Sequence, residues 1–248
     1  MTEFKDHFSS QSKGYSKFRP SYPPELYSYL SGLCVGHDLA WDCATGTGQA
    51  ARGLAEYFTH IMATDGSEQQ VARAVGPENV TFRVATAEKS GLDSSSVDLV
   101  TVAQALHWFA HDNFFQEAGR LLKPGGILAV WTYNLLRIDQ DIDRLIRRLY
   151  TQTIGKYWPA ERALVDENYR GIDFPFQEIK APEFNMVASW RLDDLLGYLA
   201  TWSAVVRYKA DRGRDPIEEI RPELSAVWGS ETDMRPVNWP LTFHIGRR

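Results

Sequence analysis

The sequence predicts an α/β protein built around a largely parallel β-sheet. Short apolar segments of strand type alternate with amphipathic helical segments between residues 37 and 133. A glycine-containing turn, Gly46-Thr47-Gly48, joins the first of these strands to the next helix. Such alternation is typical of βαβ units, which have right-handed crossovers and parallel strands. The length of 248 residues allows one or two domains and suffices to bury a core.

The periodicity of apolar residues gives each element an expected range. Five strands are predicted at 38–43, 60–64, 80–85, 97–102 and 127–132, and helices between them at 49–57, 68–74 and 113–122. Asp112 is the expected N-cap of the last of these helices. A preceding helix at 25–33 follows Pro24, which suits a first helical turn.

The pattern divides the chain into four parts: an N-terminal segment at 1–36, an α/β core at 37–133, an insertion at 134–235 and a final strand within 236–248. Within the insertion we expect helices at 141–153, 192–206 and 217–227, and one strand within 176–190 that returns to the sheet. The last strand is expected at 241–247. Five of the eight tryptophans follow residue 150, which indicates an aromatic second core over the sheet.

Composition disfavours several classes of protein. The net charge is −5, with 27 basic against 32 acidic residues, so the basic footprint of a nucleic-acid-binding protein is missing. Two cysteines are too few for a disulfide framework or a cysteine-rich zinc site, and no residue cluster has metal-ligand spacing. No apolar run is long enough to span a membrane, and the first residues lack the apolar stretch of a signal peptide. We therefore expect a cytoplasmic protein without metal.

The glycine turn is the first candidate ligand site. Glycines between a strand and a helix allow a tight turn and close approach of a ligand to the helix N-terminus. The run GTGQAA also fits the dinucleotide fingerprint G-x-G-x-x-A, so the turn alone leaves an NAD-dependent oxidoreductase open. Asp42, at the end of the preceding strand, favours a ligand with a positive end, such as a sulfonium, if its carboxylate points into the crevice. Asp65 ends the second strand and suits the two hydroxyls of a ribose in either ligand.

Four segments in order resemble the motifs of class I, Rossmann-like S-adenosylmethionine-dependent methyltransferases of the type 11 group. The segments are LAWDCATGTGQAA, IMATDGSEQQVARA, VATAEKSGLDSSSVDLVTVAQALHWF and RLLKPGGILAVW. The resemblance implies a seven-stranded sheet with an antiparallel last strand, helices on both faces and S-adenosylmethionine as the cofactor. Ala44 stands where the family usually has glycine, so a positive φ at this position would carry strain.

The resemblance also implies the residues that bind the cofactor. Asp42, Ala44, Gly46 and Gly48 would hold the methionine end, Asp65 and Gly66 the ribose, Ala87 and Glu88 the adenine, and Gln104 would lie near the methionine.

A narrower resemblance rests on YSKFRPSYPPELYSYL and ALHWF, which are similar to segments of trans-aconitate methyltransferase and related small-molecule enzymes. It implies that Tyr15 and Arg19 in the N-terminal segment close over the cofactor. It also implies a small-molecule methyl acceptor and makes the insertion at 134–235 a substrate cap.

His107, just past the fourth strand, is the candidate general base, with a loop-orienting role as the alternative. An acceptor carboxylate is already ionised and would need no base. Trp108, Trp202 and Tyr208 are candidate substrate contacts, and Arg144, Arg147 and Arg148 more often form a solvated helix face. We expect O-methylation, with a carboxylate as one acceptor, by a monomer or homodimer. The alternatives are an NAD-dependent oxidoreductase and a nonenzymatic S-adenosylmethionine-binding protein.

Overall fold

An eight-stranded sheet forms the centre of the molecule in the computed structural model, which describes residues 20–248. The strands are β1 Leu39–Cys43, β2 His60–Asp65, β3 Val80–Val84, β4 Val97–Ala103, β5 Leu122–Tyr133, β6 Gln177–Ile179, β7 Asn185–Trp190 and β8 Arg235–Arg247. Their order is β3-β2-β1-β4-β5-β8-β6, and β7 pairs with β8 outside this path. The five predicted strands of the core are thus present and pair in parallel.

The chain order reverses at β1, which has β2 on one side and β4 on the other. In open parallel sheets, ligands bind beyond the carboxyl ends of the strands at such a switch point. The β1–α2 turn lies there, so the topology brings the glycine turn, Asp65 and the end of β4 to one edge of the sheet.

The helices lie on both faces of the sheet and over its carboxyl edge. They are α1 Pro24–Leu33, α2 Gln49–Leu54, α3 Glu68–Val71, α4 His111–Leu121, α5 Gln140–Arg148, α6 Arg162–Asp166, α7 Leu192–Ala200, α8 Ser203–Arg212 and α9 Pro216–Trp228. Residues 20–248 also contain short 3₁₀ turns at Leu106–Trp108 and Gly155–Tyr157 and a π turn at Leu149–Thr153. Among the residues described, no helix is both long enough and apolar enough to cross a membrane.

Several helix boundaries differ from the prediction. Helix α2 ends at Leu54 and α3 at Val71, each shorter than expected. The single helix expected at 192–206 is two helices, because Trp202 has an extended backbone and serves as the N-cap residue of α8. Asp112 is not an N-cap: α4 begins one residue earlier, at His111, with Ala110 as the cap residue.

The prediction of an antiparallel last strand is confirmed, since Leu241 to Arg247 pair with Tyr133 to Ile127. Strand β8 nevertheless begins six residues earlier, at Arg235, and this first half pairs with β7. The insertion also returns two strands, β6 and β7, where one was expected. Pro182 lies between them, and proline cannot donate a ladder hydrogen bond, so a single long strand does not form.

Two hydrophobic clusters pack on the two faces of the sheet. One joins α1, α2 and the alternate side chains of β5, including Trp131 and Tyr133, to the insertion. The other joins the opposite face to α4 and to Tyr169. Trp228 and Trp239 are completely buried within the first cluster. The aromatic residues of the insertion therefore continue the core of the sheet.

Candidate functional site

The β1–α2 turn takes left-handed backbone conformations at three alternate positions. The φ angles of Ala44, Gly46 and Gly48 are 54°, 58° and 87°. A Cβ atom at Gly48 would also lie 2.7 Å from the Phe82 ring, so only glycine fits there. The positive φ expected to strain Ala44 is present, and strained L-residues are concentrated at functional sites.

Asp42 lies beneath this turn and is buried. Its Oδ2 accepts hydrogen bonds from Thr45 Oγ1 at 2.5 Å and from the Ala51 N–H at 3.1 Å, and its Oδ1 accepts one from Thr101 Oγ1 at 2.7 Å. Burial raises the pKa of Asp42 from 3.8 to about 6, although these hydrogen bonds act to lower it. These three partners of the carboxylate lie in the turn, in α2 and in β4. The side chain shapes the turn, and direct contact with the cofactor stays a prediction.

Asp65 ties the end of β2 to the same turn. Its Oδ2 accepts a hydrogen bond from the Gly46 N–H at 2.9 Å, and its Oδ1 accepts one from the Ser67 N–H at 2.9 Å. The side chain is only half-buried. The contact of Asp65 and the adjacent Gly66 with a ribose stays a prediction.

Glu88 connects the β3–β4 segment to the start of α4. Its Oε1 accepts a hydrogen bond from the Ala110 N–H at 3.1 Å, while the neighbouring Ala87 is buried. Glu88 also lines a shallow surface hollow together with Asn113 and Arg120. The predicted adenine contacts therefore lie between the third strand and a helix N-terminus.

Gln104 joins the carboxyl ends of β4 and β5. It has a φ of 56°, and its side-chain Oε1 accepts hydrogen bonds from Thr132 Oγ1 at 2.6 Å and the Tyr133 N–H at 2.9 Å. Its Nε2 donates to the Tyr133 carbonyl at 3.0 Å. The amide thus positions two strand ends, and its predicted closeness to the methionine moiety stays untested.

His107 is buried in the 3₁₀ turn after β4 and pairs with Tyr169, its Nδ1 lying 2.9 Å from the tyrosine Oη. Burial, then the positive charge of Arg162 and the neighbouring His111, lower the pKa of His107 from 6.5 to about 3. Burial raises the pKa of Tyr169 to about 12, so both rings are neutral near pH 7. Because a general base works best with a pKa near the working pH, this environment argues against His107 as the base.

The sequence does not indicate Tyr169 as a site residue, because it lies in an aromatic stretch without a motif. It and Asn168 have consecutive positive φ angles, 60° and 55°. That strained turn places the Tyr169 hydroxyl against a histidine 62 residues earlier in the chain. Spacing along the sequence gives no signal for such a pair.

The three predicted substrate contacts have different neighbours in the structure. Trp202 packs on Tyr150 and Trp158, each at a ring-centroid distance of 5.7 Å. Tyr208 is buried against Tyr157, and its hydroxyl accepts a hydrogen bond from Arg214. Trp108 is half-buried beside the His107 ring.

The three arginines of α5 lie on a solvated face, as their usual role suggests. Arg144 pairs with Asp141 and Arg148 with Glu223, and all three arginines are exposed. Tyr15 and Arg19 lie outside the described residues. Across residues 20–248, no group of histidine, cysteine, aspartate or glutamate side chains could hold a metal ion.

Comparison with known proteins agrees with this architecture. Residues 41–130 match the methyltransferase domain family. The chain is 35% identical over 254 positions to a methyltransferase-family protein of Dictyostelium discoideum, covering 100% of this chain and 97% of the relative. A solved structure of a type II methyltransferase-family protein from Anaeromyxobacter dehalogenans has a TM-score of 0.87 and 41% identity, covering 92% of this chain and 97% of that one.

A more distant structure shares the fold alone. Phosphoethanolamine N-methyltransferase 2 of Haemonchus contortus, solved with S-adenosylhomocysteine, has a TM-score of 0.51 and 15% identity, covering 100% of this chain and 61% of that one.

The fold is that of a Rossmann-like methyltransferase. It combines a glycine turn at the switch point of the sheet, an aspartate at the end of the neighbouring strand and an antiparallel last strand. The chain belongs to the class I S-adenosylmethionine-dependent methyltransferases. S-adenosylmethionine is its cofactor, so the predictions of fold and cofactor are confirmed. Membership in this family argues against the alternative of an NAD-dependent oxidoreductase.

Proposed function

We propose that this protein methylates an oxygen atom of a small molecule, with an ionised carboxylate as the favoured acceptor group. The observation that carries the proposal is the His107–Tyr169 pair at the carboxyl end of β4. A histidine with a pKa near 3 is a weak base, which favours an acceptor that is already deprotonated at neutral pH. The narrower resemblance to small-acid methyltransferases supports the same acceptor class.

The donor set of the turn fits the cofactor. Asp65 offers a half-exposed carboxylate next to left-handed backbone at Gly46, where an added Cβ would meet no atom within 4 Å. We assign Asp65 to the ribose hydroxyls, the turn of Ala44, Gly46 and Gly48 to the methionine end, and Ala87 and Glu88 to the adenine. Bound there, S-adenosylmethionine supplies an electrophilic methyl group on a sulfonium. Asp42 and Gln104 hold the turn and the strand ends in place.

The insertion at 134–235 is proposed as the cap that holds the acceptor. It packs over the carboxyl end of β5 through the cluster that includes Tyr133, and it would exclude water from the transfer. His107 and Trp108 would then contribute to the wall of the acceptor site. The remaining contribution of the protein is alignment of donor and acceptor, which can account for a large part of such a rate enhancement.

The first test measures cofactor binding by calorimetry with S-adenosylhomocysteine and with NAD. We expect S-adenosylhomocysteine alone to bind, and Asp65→Asn to weaken that binding at least about tenfold, because a charge-assisted hydrogen bond is lost. Asp173→Asn removes an exposed aspartate with no side-chain partner among residues 20–248 and should bind normally. Binding unchanged by Asp65→Asn would remove the ribose assignment.

The second test measures turnover with small carboxylic acids and their matched amides as acceptors, by following S-adenosylhomocysteine release. Acids should be methylated and amides should not. Turnover of phenols or amines in preference to acids would contradict the proposed acceptor. Cofactor binding without turnover of any acceptor would favour the alternative of a nonenzymatic cofactor-binding protein.

A further inference from the structure

Arg162 brings a cation to the carboxyl edge of the sheet, at a position that no sequence motif marks. It begins α6, and its Nη2 donates to Asn134 Oδ1 at 3.3 Å. Asn134 directly follows β5, so the guanidinium lies beside the strand end where the acceptor is expected. The influence of this charge on the pKa of His107 agrees with that position.

Two aromatic rings hold the guanidinium in place. Its Cζ lies 5.1 Å from the centre of the Trp158 ring and 5.6 Å from that of Tyr150. The Nε of Arg162 donates to the Tyr150 hydroxyl at 2.8 Å, and Trp202 packs against both rings. A cation that is already held by rings and hydrogen bonds loses little conformational entropy when it binds a ligand.

The hydrogen-bond inventory leaves donors for a ligand. A guanidinium has five N–H groups, and Tyr150 and Asn134 occupy one on Nε and one on Nη2. The two on Nη1 and the second on Nη2 have no partner among residues 20–248. The side chain keeps 19% of its surface exposed, and none of its nitrogens is a buried atom without a partner.

Asp166 balances the charge only in part. Its Oδ1 lies 3.5 Å from Arg162 Nε and also accepts a hydrogen bond from the Tyr150 hydroxyl at 2.6 Å. It therefore faces the Nε side of the guanidinium, and its own side chain is 43% exposed to solvent. The two terminal nitrogens stay available for the end-on, bidentate contact that carboxylates make with arginine.

We propose that Arg162 is the specificity-determining residue of the acceptor site and binds a carboxylate of a planar small acid, with Trp158 and Tyr150 bordering the bound molecule. This inference deepens the proposed function and rests on it. It assigns the recognition of negative charge to α6, not to the arginines of α5.

The test uses benzoate and benzamide, which share a planar ring and differ in charge. Each is titrated into the full-length protein saturated with S-adenosylhomocysteine, and binding is followed by tryptophan fluorescence and calorimetry. We expect benzoate to bind with a Kd of about 1–10 mM and benzamide at least about tenfold more weakly. Arg162→Met should remove this preference, whereas Arg162→Lys should keep part of it, because lysine retains the charge without the fork.

Two further variants test the direction of the charge effect on benzoate binding. Asp166→Asn should tighten benzoate binding about two- to fivefold, since it removes a competing negative charge. Arg170→Met removes the same charge from an exposed side chain of the following segment and should leave benzoate binding unchanged.

The outcomes separate this inference from the proposed function. Each variant is first checked for S-adenosylhomocysteine affinity, which Arg162→Met should preserve. Equal binding of benzoate and benzamide, no saturation by benzoate up to about 50 mM, or a preference for benzoate that survives Arg162→Met would overturn the role of Arg162. Failure of the wild-type protein to bind S-adenosylhomocysteine would overturn the proposed function instead.

Discussion

Single buried polar residues set the protonation of the site. His107 and Asp42 lie at the ends of neighbouring strands. Burial lowers the pKa of His107 and raises the pKa of Asp42. The histidine is kept neutral down to acid pH, and the aspartate gains protons near pH 6. The direction of each change follows from the residue type, because burial disfavours the charged form, but its size depends on the groups packed around the side chain.

The His107 environment predicts a specific loss of stability in acid. The unfolded histidine binds a proton near pH 6.5 and the folded one only near pH 3, so stability falls as the pH decreases through this window. The full effect, reached below the pKa of the folded state, is about 5 kcal/mol in the free energy of unfolding. In His107→Asn, which can still hydrogen-bond Tyr169, this component should be missing from urea unfolding curves measured between pH 7 and 4.

The matched control is His60→Asn, which changes an exposed histidine at the start of β2 and should keep the wild-type pH profile. Parallel pH profiles for wild type and His107→Asn would show that the fold does not exclude the proton from His107.

At the scale of elements, the β1–α2 turn shows what a local pattern can reveal. The glycines at 46 and 48 indicate a turn, and both have positive φ. The pattern also places Asp65 at a strand end next to the turn, as observed. It could not show that Asp42 lies below the turn, because the donors from Ala51 and Thr101 reach it through the folding of α2 and the pairing of β4.

Ala44 should be a position where glycine stabilises the protein. Its φ of 54° costs an L-residue roughly 1–2 kcal/mol, and glycine recovers this energy at some cost in unfolded-state entropy. We expect Ala44→Gly to raise the free energy of unfolding by about 1 kcal/mol in urea denaturation. Ala210→Gly, at an exposed position within α8, should instead lower it by about 1 kcal/mol. Equal destabilisation by both would mean that Ala44 is not strained.

At the scale of the molecule, the insertion and the sheet share one hydrophobic cluster. Trp131 on β5 and Trp228 in α9 belong to it, and β8 runs from the sheet into the ribbon that it forms with β7. The division at residues 133 and 235, drawn from sequence pattern, therefore crosses a continuous core.

This continuity predicts cooperative unfolding. Far-UV circular dichroism reports both parts, and the insertion contributes half of the eight tryptophans that tryptophan fluorescence reports. The two signals should give coincident urea transitions. Trp228→Phe should lower the shared midpoint without splitting the transition. A separate early transition in fluorescence would indicate that the insertion unfolds independently of the sheet.

The sequence by itself determined the five parallel strands, the glycine turn and the strand-end aspartate. These features depend on periodicity and turn chemistry within short segments, where physical preferences are local. The antiparallel direction of the last strand came from the resemblance to a family and not from a local pattern. Only the tertiary structure decided which way Asp42 faces, the His107–Tyr169 pair and the Arg162–Asn134 contact. The members of the His107–Tyr169 pair are 62 residues apart in the chain, and those of the Arg162–Asn134 pair are 28 residues apart. Both contacts depend on how the insertion packs over the strand ends, which no local pattern encodes.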